Sequence, residues 1–408
     1  MNRKDIILVV NVGSTSFKYK LFDMAEGRCL AKGKTENVFT AAARYTWQNG
    51  QQHGRETLDA SAGYERCIQR MLAVLTDGST GMIPGLEAIG GVGFKAVLAG
   101  RINYPALVTE KLLQEMEKYA FVAPAHNPPY IAAMRTFGEL MPDTPLVASF
   151  ETGFHRTIPE AAYVYPFPEV YREKYGLRKY GFHGASHSYV AWKVNQLMGR
   201  ENPRIISCHL GGSSSLCAIR NGKSLDTTMG FSPQAGLPNN NRNGDLDVFS
   251  VLYLMEKENL TPAQMREILS VDSGLLGLSG ISGDMRVLKE STDPRAKMTI
   301  AHFVYCIKKN IGGLLTQMNG VDVITFSGGI GENDSDLRQM ICKDMESFGI
   351  QLDPQANRLA TGNLPGDGAV ISAADARVKI MVLPTDEEWM VAMNTRRVIG
   401  QEVQNESC

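Results

Sequence analysis

Three apolar runs in this chain read as strands, and each stops at a loop of glycines and small hydroxyl residues. Ile6-Ile7-Leu8-Val9-Val10 leads into Asn11-Val12-Gly13-Ser14-Thr15-Ser16-Phe17-Lys18. Arg204-Ile205-Ile206-Ser207-Cys208 leads into His209-Leu210-Gly211-Gly212-Ser213-Ser214-Ser215, and Val321-Asp322-Val323-Ile324-Thr325-Phe326 leads into Ser327-Gly328-Gly329-Ile330-Gly331-Glu332-Asn333. Glycine lets a backbone approach a ligand closely and adopt positive φ. Successive backbone N–H groups in such turns form anion-binding concavities. One such loop is ordinary strand punctuation. Three of them, spread along the chain, point to one polyphosphate held from several sides.

The remaining patterns predict mixed architecture. Phe17 to Phe22 alternates like a half-buried strand, so the N-terminal region reads strand, glycine turn, strand. Asn49-Gly50 is a hairpin signal. Thr109 to Tyr119 reads as a helix with Thr109 as N-cap and Leu112, Leu113 and Met116 on one face. Phe303, Ile307, Ile311, Leu314 and Met318 mark another helix, just before the third strand. Gly91-Val92-Gly93 is too short for a dinucleotide fingerprint and reads as a structural turn. Strands dominate early and alternate with helices later, which favours α/β. The 408 residues favour two domains. Two of the glycine loops sit at similar positions in separate halves, which suits two related domains facing a cleft. Five of the seven histidines lie from His126 to His209, and the domain junction and catalytic cleft are expected around Leu146 to His187.

Composition narrows the function classes. Hydrophobic residues make up 43% and charged residues 21% of the chain, as in ordinary globular proteins. The net charge of −1 supplies no global field toward nucleic acid or membrane. No apolar run is long enough to span a bilayer, and Met1-Asn2-Arg3-Lys4-Asp5 is not a signal peptide. The seven cysteines are scattered without a C-x-x-C pair, so reduced thiols in a cytoplasmic protein are expected, with neither zinc site nor disulfide framework. The P-loop and the protein-kinase catalytic loop are both absent.

Candidate chemistry follows from a few residues. His183 follows an aromatic residue and precedes glycine, where a donor stabilises charge in a cleft. His155, His187 and His209 read singly as core or cap histidines, and their spacing disfavours zinc. Arg242 lies in a loop of turn-formers and reads either as a solvated side chain or as a phosphoryl clamp. Glu387 and Glu388 suit a capping box with Thr385, or equally Mg²⁺ binding beside phosphate loops.

Together these motifs resemble the acetate kinase family, within the acetate and sugar kinase, heat-shock and actin superfamily. The resemblance runs over essentially the whole chain. Beside the three loops, it rests on His126-Asn127-Pro128-Pro129, Thr152-Gly153-Phe154-His155 and Gly181-Phe182-His183-Gly184-Ala185-Ser186-His187. Ser273-Gly274-Leu275-Leu276-Gly277, Asp284 with Arg286, and Pro384-Thr385-Asp386-Glu387-Glu388 complete the set. It implies a two-domain, actin-like α/β fold with a nucleotide cleft between domains. Residues 1–150 would form one domain, with the helix at 386–408 packing back on it, and 151–385 the other. The implied reaction is reversible phosphoryl transfer from ATP to a short-chain carboxylate, giving ADP and an acyl phosphate, with Mg²⁺ or Mn²⁺. By resemblance, Asn11, Ser14, Ser16 and Lys18 lie at the phosphoryl and metal end, and Asn11 and Glu387 position the metal. Lys95, His126, Glu151, His183 and Arg242 take catalytic roles. His209, Gly211, Gly212, Ser213, Asp284, Met285, Arg286, Gly329, Ile330, Gly331 and Asn333 cradle the nucleotide. Lys95, Val97, Ala125, Phe182 and Pro233 form the acyl pocket. A homodimer is implied, and no nucleic acid or membrane partner.

The departures from the family pattern are specific. Where the family shows Gly-His-Arg-Val-Val-His-Gly-Gly, this chain has Gly93-Phe94-Lys95-Ala96-Val97-Leu98-Ala99-Gly100. Lysine keeps the charge of the family's arginine but loses its planar fork. The family's aspartate is Glu151, its Asn-Gly is Gly212-Ser213, its Gly-Thr before Arg242 is Asn240-Asn241, and Ala125 replaces a larger apolar residue. Ala125 and Phe94 together imply a reshaped acyl pocket. The expected acid is therefore not chiefly acetate but propionate or another small acid. The alternative is a nucleotide-binding homologue that has lost catalysis. A pyrophosphate-dependent kinase is disfavoured by the Gly328 to Asn333 loop.

Overall fold

The computed structural model describes residues 5–61, 63–122, 126–199, 202–362 and 364–405. The chain folds into two units. The first holds the chain through residue 154 together with the segment from residue 386 onward; the second holds residues 155–385.

The first unit is built on eight strands. They are β1 (Ile6–Gly13), β2 (Ser16–Asp23), β3 (Arg28–Glu36), β4 (Ala43–Asn49), β5 (Gln52–Leu58), β6 (Gly91–Ala96), β7 (Ala106–Leu107) and β8 (Leu146–Phe150). Their order is β5-β4-β3-β2-β1-β6-β8-β7, with β1, β6 and β8 mutually parallel. Ile6 to Val10 are all fully buried, as a continuous apolar run in a sheet covered on both faces must be. In β2 the alternation holds: Phe17, Tyr19 and Leu21 are buried while Lys18 is exposed. The β4–β5 hairpin turns on Gly50-Gln51, with Gly50 at φ 57°. The Asn-Gly signal thus marks the right hairpin one place early. Asn49 is the last paired residue of β4, and its side chain donates to the Thr80 carbonyl at 2.9 Å.

Gly91-Val92-Gly93 is not a turn. It opens β6, and the glycine has a packing reason. The helix Glu387–Asn405 lies against β1, β6 and β8, and a Cβ on Gly93 would meet Thr395 Oγ1 at 2.2 Å. The helix Asn127–Leu140 packs on the other face, where Phe94 meets Phe137 edge to face.

The second unit has β9 (Ile205–His209), β10 (Ser215–Arg220), β11 (Lys223–Thr227), β12 (Val323–Ser327), β13 (Ala369–Val370) and β14 (Lys379–Val382), ordered β11-β10-β9-β12-β14-β13. This repeats the plan β3-β2-β1-β6-β8-β7 strand for strand. Both have two antiparallel pairs, two parallel pairs and a final antiparallel strand. The helix Pro294–Gln317 buries Phe303, Ile307, Ile311 and Leu314. Asp293 caps it through the Arg295 N–H, and Pro294 occupies its first position. Thr109 likewise caps the helix Glu110–Lys118, through the Leu112 N–H. No helix among the described residues is long and apolar enough to cross a membrane.

Candidate functional site

In an open α/β sheet, ligand groups gather at the carboxyl ends of parallel strands. In the first unit those ends carry Asn11 (β1), Lys95 (β6) and Glu151, just past β8. Lys95 Nζ binds Glu387 and lies 3.6 Å from Glu151 Oε1. Glu387 and Glu388 occupy the first turn of their helix, where negative charge is favoured. The side chain that caps this turn is Asp386, which accepts from the Trp389 N–H at 3.1 Å. Lys20 joins the same group, 2.9 Å from Asp386 and 3.3 Å from Glu388. Asn11 donates to Glu388 Oε1 at 3.5 Å, and Lys18 is its direct cross-strand neighbour.

The electrostatics are those of two cations among buried carboxylates. Burial opposes the charge on Lys95, but Glu151 and Glu387 outweigh it and raise its pKa well above the usual range. Burial pushes Glu151 up to about 7, against the pull of Lys95 and with the help of Glu387. Glu388 is held below the ordinary carboxylate value, because Lys20 and Lys95 outweigh its burial. The oxygen donors of Glu387, Glu388 and Asn11 fit Mg²⁺, which takes one or two carboxylates together with substrate phosphates rather than a closed protein cage.

The rest of this half is dispersed. Ser14 is exposed at the β1–β2 tip, and Ser16 begins β2. His126 is exposed at the start of the helix Asn127–Leu140. Val97 is buried. Ala125 lies outside the described residues. Phe94 is not a pocket wall: it points to the face opposite Lys95, into the core under the helix Asn127–Leu140.

The second unit gathers histidines and hydroxyls. His183 stands at φ 57°, just ahead of the helix Gly184–Met198. Its Nδ1 lies 2.8 Å from Ser215 Oγ, which also lies 2.9 Å from His187 Nε2. His187 Nδ1 meets Ser207 Oγ at 2.9 Å. His209 stacks on His183 with ring centres 4.3 Å apart, and Ser186 holds its Nδ1 at 2.8 Å. Burial lowers His155 to about 4 and His187 well below its usual value. His155 Nε2 donates to the Phe182 carbonyl at 2.8 Å, which fixes the residue before His183.

Arg242 donates to Ser213 Oγ at 2.9 Å. Burial depresses its pKa, and among the described residues no carboxylate pairs with it. The altered Gly212-Ser213 pair therefore carries the link to this arginine.

The three glycine loops differ in what their amides do. Ser14 and Thr15 form the exposed tip of the first. In the second, Leu210, Gly211 and Ser214 donate to protein acceptors, while among the described residues no protein acceptor takes the N–H of Gly212 or Ser213. In the third, Ile330 and Gly331 both donate to the Leu210 carbonyl, at 2.9 and 3.0 Å, and Gly328 donates to Glu332. Two amides of this loop thus clamp it to the second loop, and a third turns back on Glu332. Gly328 is required there: its φ is 78°, and a Cβ would meet the Leu210 carbonyl oxygen at 2.6 Å.

Gly211, Gly212, Gly329, Ile330 and Asn333, with Asp284, Met285 and Arg286, line one cavity of 740 Å³. Gly331 does not. It is buried and accepts from Arg338, a fully buried arginine that donates to Gly331, Glu332, Asn357 and Ala360. Pro233 is half-buried, with its carbonyl 3.4 Å from Asn239 Nδ2. Sequence reasoning missed Arg338, Lys20 and Tyr130, because none stands in a recognisable motif; Ser186, Ser207 and Ser215 stand in quoted motifs, but spacing does not show that they hold the histidines. The alternation of β2 did place Lys20 on the same face as Lys18.

The sequence profile of the Acetokinase family matches residues 6–393. The chain is 40% identical over 403 residues to the acetate kinase of Dictyoglomus turgidum, covering 97% of this chain and 98% of that protein. It is 39% identical over 402 residues to the acetate kinase of Clostridium acetobutylicum, covering 97% and 99%. Among solved structures, Porphyromonas gingivalis acetate kinase superposes with a TM-score of 0.87 at 34% identity, covering 97% of this chain and 100% of that one. A propionate kinase from Francisella tularensis gives 0.87 at 29% identity, with the same coverage. The fold is thus the two-domain, actin-like α/β fold, and the chain belongs to the acetokinase family.

Proposed function

We propose that this protein transfers the γ-phosphoryl group of ATP directly to the carboxylate of a short-chain acid, in the cytoplasm and with Mg²⁺, yielding ADP and an acyl phosphate. The observation that carries this is Arg242, a desolvated guanidinium with a hydroxyl partner and no carboxylate, beside a loop with two open amides. Phosphoryl transfer asks mainly for positioning and for positive charge on the equatorial oxygens. Arg242 and the Gly212 and Ser213 amides offer that charge, and His183 offers a donor. Glu387 and Asn11 would hold Mg²⁺, which when bound neutralises phosphate charge. Lys95 attracts the ionised acid. A carboxylate oxygen forms the new bond to phosphorus as the bond to the ADP oxygen breaks, and no proton need move.

The acid is proposed to be small and not chiefly acetate. The support is Ala125, which stands where the family pattern has a larger apolar residue, beside Val97, Phe182 and Pro233, which keep that pattern; an acetate kinase and a propionate kinase superpose equally well and do not separate the acids. Phe94 no longer contributes, since it lies in the core. One methylene changes pocket preference by about 1–3 kcal/mol, so turnover of neighbouring acids is expected. Hydroxylamine trapping of the acyl phosphate across formate, acetate, propionate, butyrate and hydroxy acids tests this. A clear acetate optimum removes the substrate proposal. ATP binding without turnover of any acid establishes the non-catalytic alternative.

A homodimer is proposed from the helix Val248–Glu258, on which Val248, Phe249 and Tyr253 are each more than 60% exposed. A contiguous apolar face of that kind marks an interaction site. Light scattering should give twice the chain mass, and Phe249→Glu should shift it to the monomer; an unchanged mass would place the interface elsewhere.

A further inference from the structure

No step of the proposed reaction uses Tyr130, yet it is 2% exposed and its hydroxyl ends at the tip of β1. It accepts from the Val12 N–H at 3.1 Å and donates to Asn11 Oδ1 at 3.1 Å. The backbone explains the first bond. Gly13 and Ser16 flank a two-residue turn and form its hydrogen-bonded pair, so the next pair, Val12 with Phe17, is the non-hydrogen-bonded one. The Val12 N–H therefore points away from β2. On that side the β1–β6 ladder has already ended, at Val10 with Phe94. Val12 is buried, and a buried N–H needs an acceptor. The Tyr130 hydroxyl supplies it, reaching over from the helix Asn127–Leu140.

The second bond follows from the first. Once the hydroxyl accepts from Val12, its proton is directed to Asn11 Oδ1. That decides the amide: Oδ1 faces Tyr130, and Nδ2 faces Glu388 Oε1 at 3.5 Å. Glu388 continues the chain to Lys20. With phenylalanine at 130, Asn11 would keep only its long bond to Glu388 among the described residues, and Val12 would lose its acceptor.

We propose that Tyr130 is a positioning residue: its hydroxyl sets the orientation of the Asn11 amide at the phosphoryl and metal end of β1. The proposal rests on Asn11 belonging to that end. Tyr130→Phe in the full chain tests it. Hydrogen exchange at the Val12 amide should speed up at least about tenfold while Ile7 to Val10 stay protected. Calorimetric titration with Mn²⁺ and ADP should show about tenfold weaker metal-dependent binding. The Mg²⁺ concentration for half-maximal rate should rise by a similar factor. The double variant N11S/Y130F should bind no worse than N11S alone, because Tyr130 acts through Asn11. Unchanged Mn²⁺–ADP binding in Y130F overturns the proposal. So does a double variant that falls by the product of the two single effects. Should the wild-type protein phosphorylate no acid, the functional reading fails on its own, and the Val12 exchange and Mn²⁺–ADP binding still decide the role of Tyr130. Should Y130F lose its native circular dichroism, Tyr130→Gln takes its place and must show the same weakened metal-dependent binding.

Discussion

Replacing Arg242 by alanine should lower kcat for acyl phosphate formation by about a thousandfold or more, the scale of a guanidinium that meets charge developing in the transition state. The affinity for ATP should change far less, because the 740 Å³ cavity, lined by residues that the resemblance assigns to the nucleotide, does not include Arg242. Among the described residues the side chain has no carboxylate to release, so its loss should strand no buried negative charge and the fold should survive. Arg242→Lys should recover little, since lysine cannot offer two parallel N–H groups to one phosphoryl. Single-turnover kinetics with saturating ATP separates these effects. A kcat within threefold of wild type for R242A would mean, on that scale of effect, that the charge comes from elsewhere.

The second large effect is expected at Lys95. Its ammonium lies between Glu387 and Glu151, with Glu388 close by. Lys95→Met should cut kcat by about a hundredfold to a thousandfold, and it leaves buried carboxylates without a counter-charge, so stability should fall too. Lys95 and Glu151 are also the two acid–base positions where the chain departs from its family. The structure makes them neighbours, so a shorter base and a longer acid are expected to act as one compensated change. Lys95→Arg and Glu151→Asp should each lower kcat/KM, and the double variant should recover part of the loss, with an interaction energy of about 1–2 kcal/mol. Strict additivity would show that the two changes are independent.

The pH dependence has a definite sign. Burial raises the Glu151 carboxyl to about 7, against an ordinary value of 4.5. Between those values the folded protein holds a proton that the unfolded chain has lost, so stability falls as pH rises through this window. Denaturant midpoints of Glu151→Gln should lack that slope, and identical slopes in the two proteins would place the titration elsewhere.

The sequence disclosed the parts that repeat or alternate. Three apolar runs ending in glycine became β1, β9 and β12, and the helix carrying Phe303 and Ile307 followed from its period. What it did not disclose depends on faces and partners. Phe94 and Lys95 are adjacent in sequence but point to opposite sides of β6, so Phe94 cannot line a pocket that Lys95 faces. Gly93 is small because Thr395, some three hundred residues later, lies against it. The third glycine loop has the composition of an anion nest, yet two of its amides, those of Ile330 and Gly331, answer to the Leu210 carbonyl. Tyr130 reads like a core aromatic, because a hydroxyl that completes a strand end leaves no trace in spacing.

The Ser215 hydroxyl, placed between His183 and His187, has one proton and so ties the tautomers of the two rings together. His187 is kept neutral by burial. If its Nε2 carries the hydrogen, it donates to Ser215, which leaves the Ser215 proton available to His183 Nδ1; where that bond forms, the hydrogen of a neutral His183 sits on Nε2. If its hydrogen is on Nδ1, every bond reverses, and a neutral His183 presents a lone pair at Nε2 instead. A buried ring thereby bears on whether Nε2 of its half-buried neighbour carries a hydrogen or a lone pair.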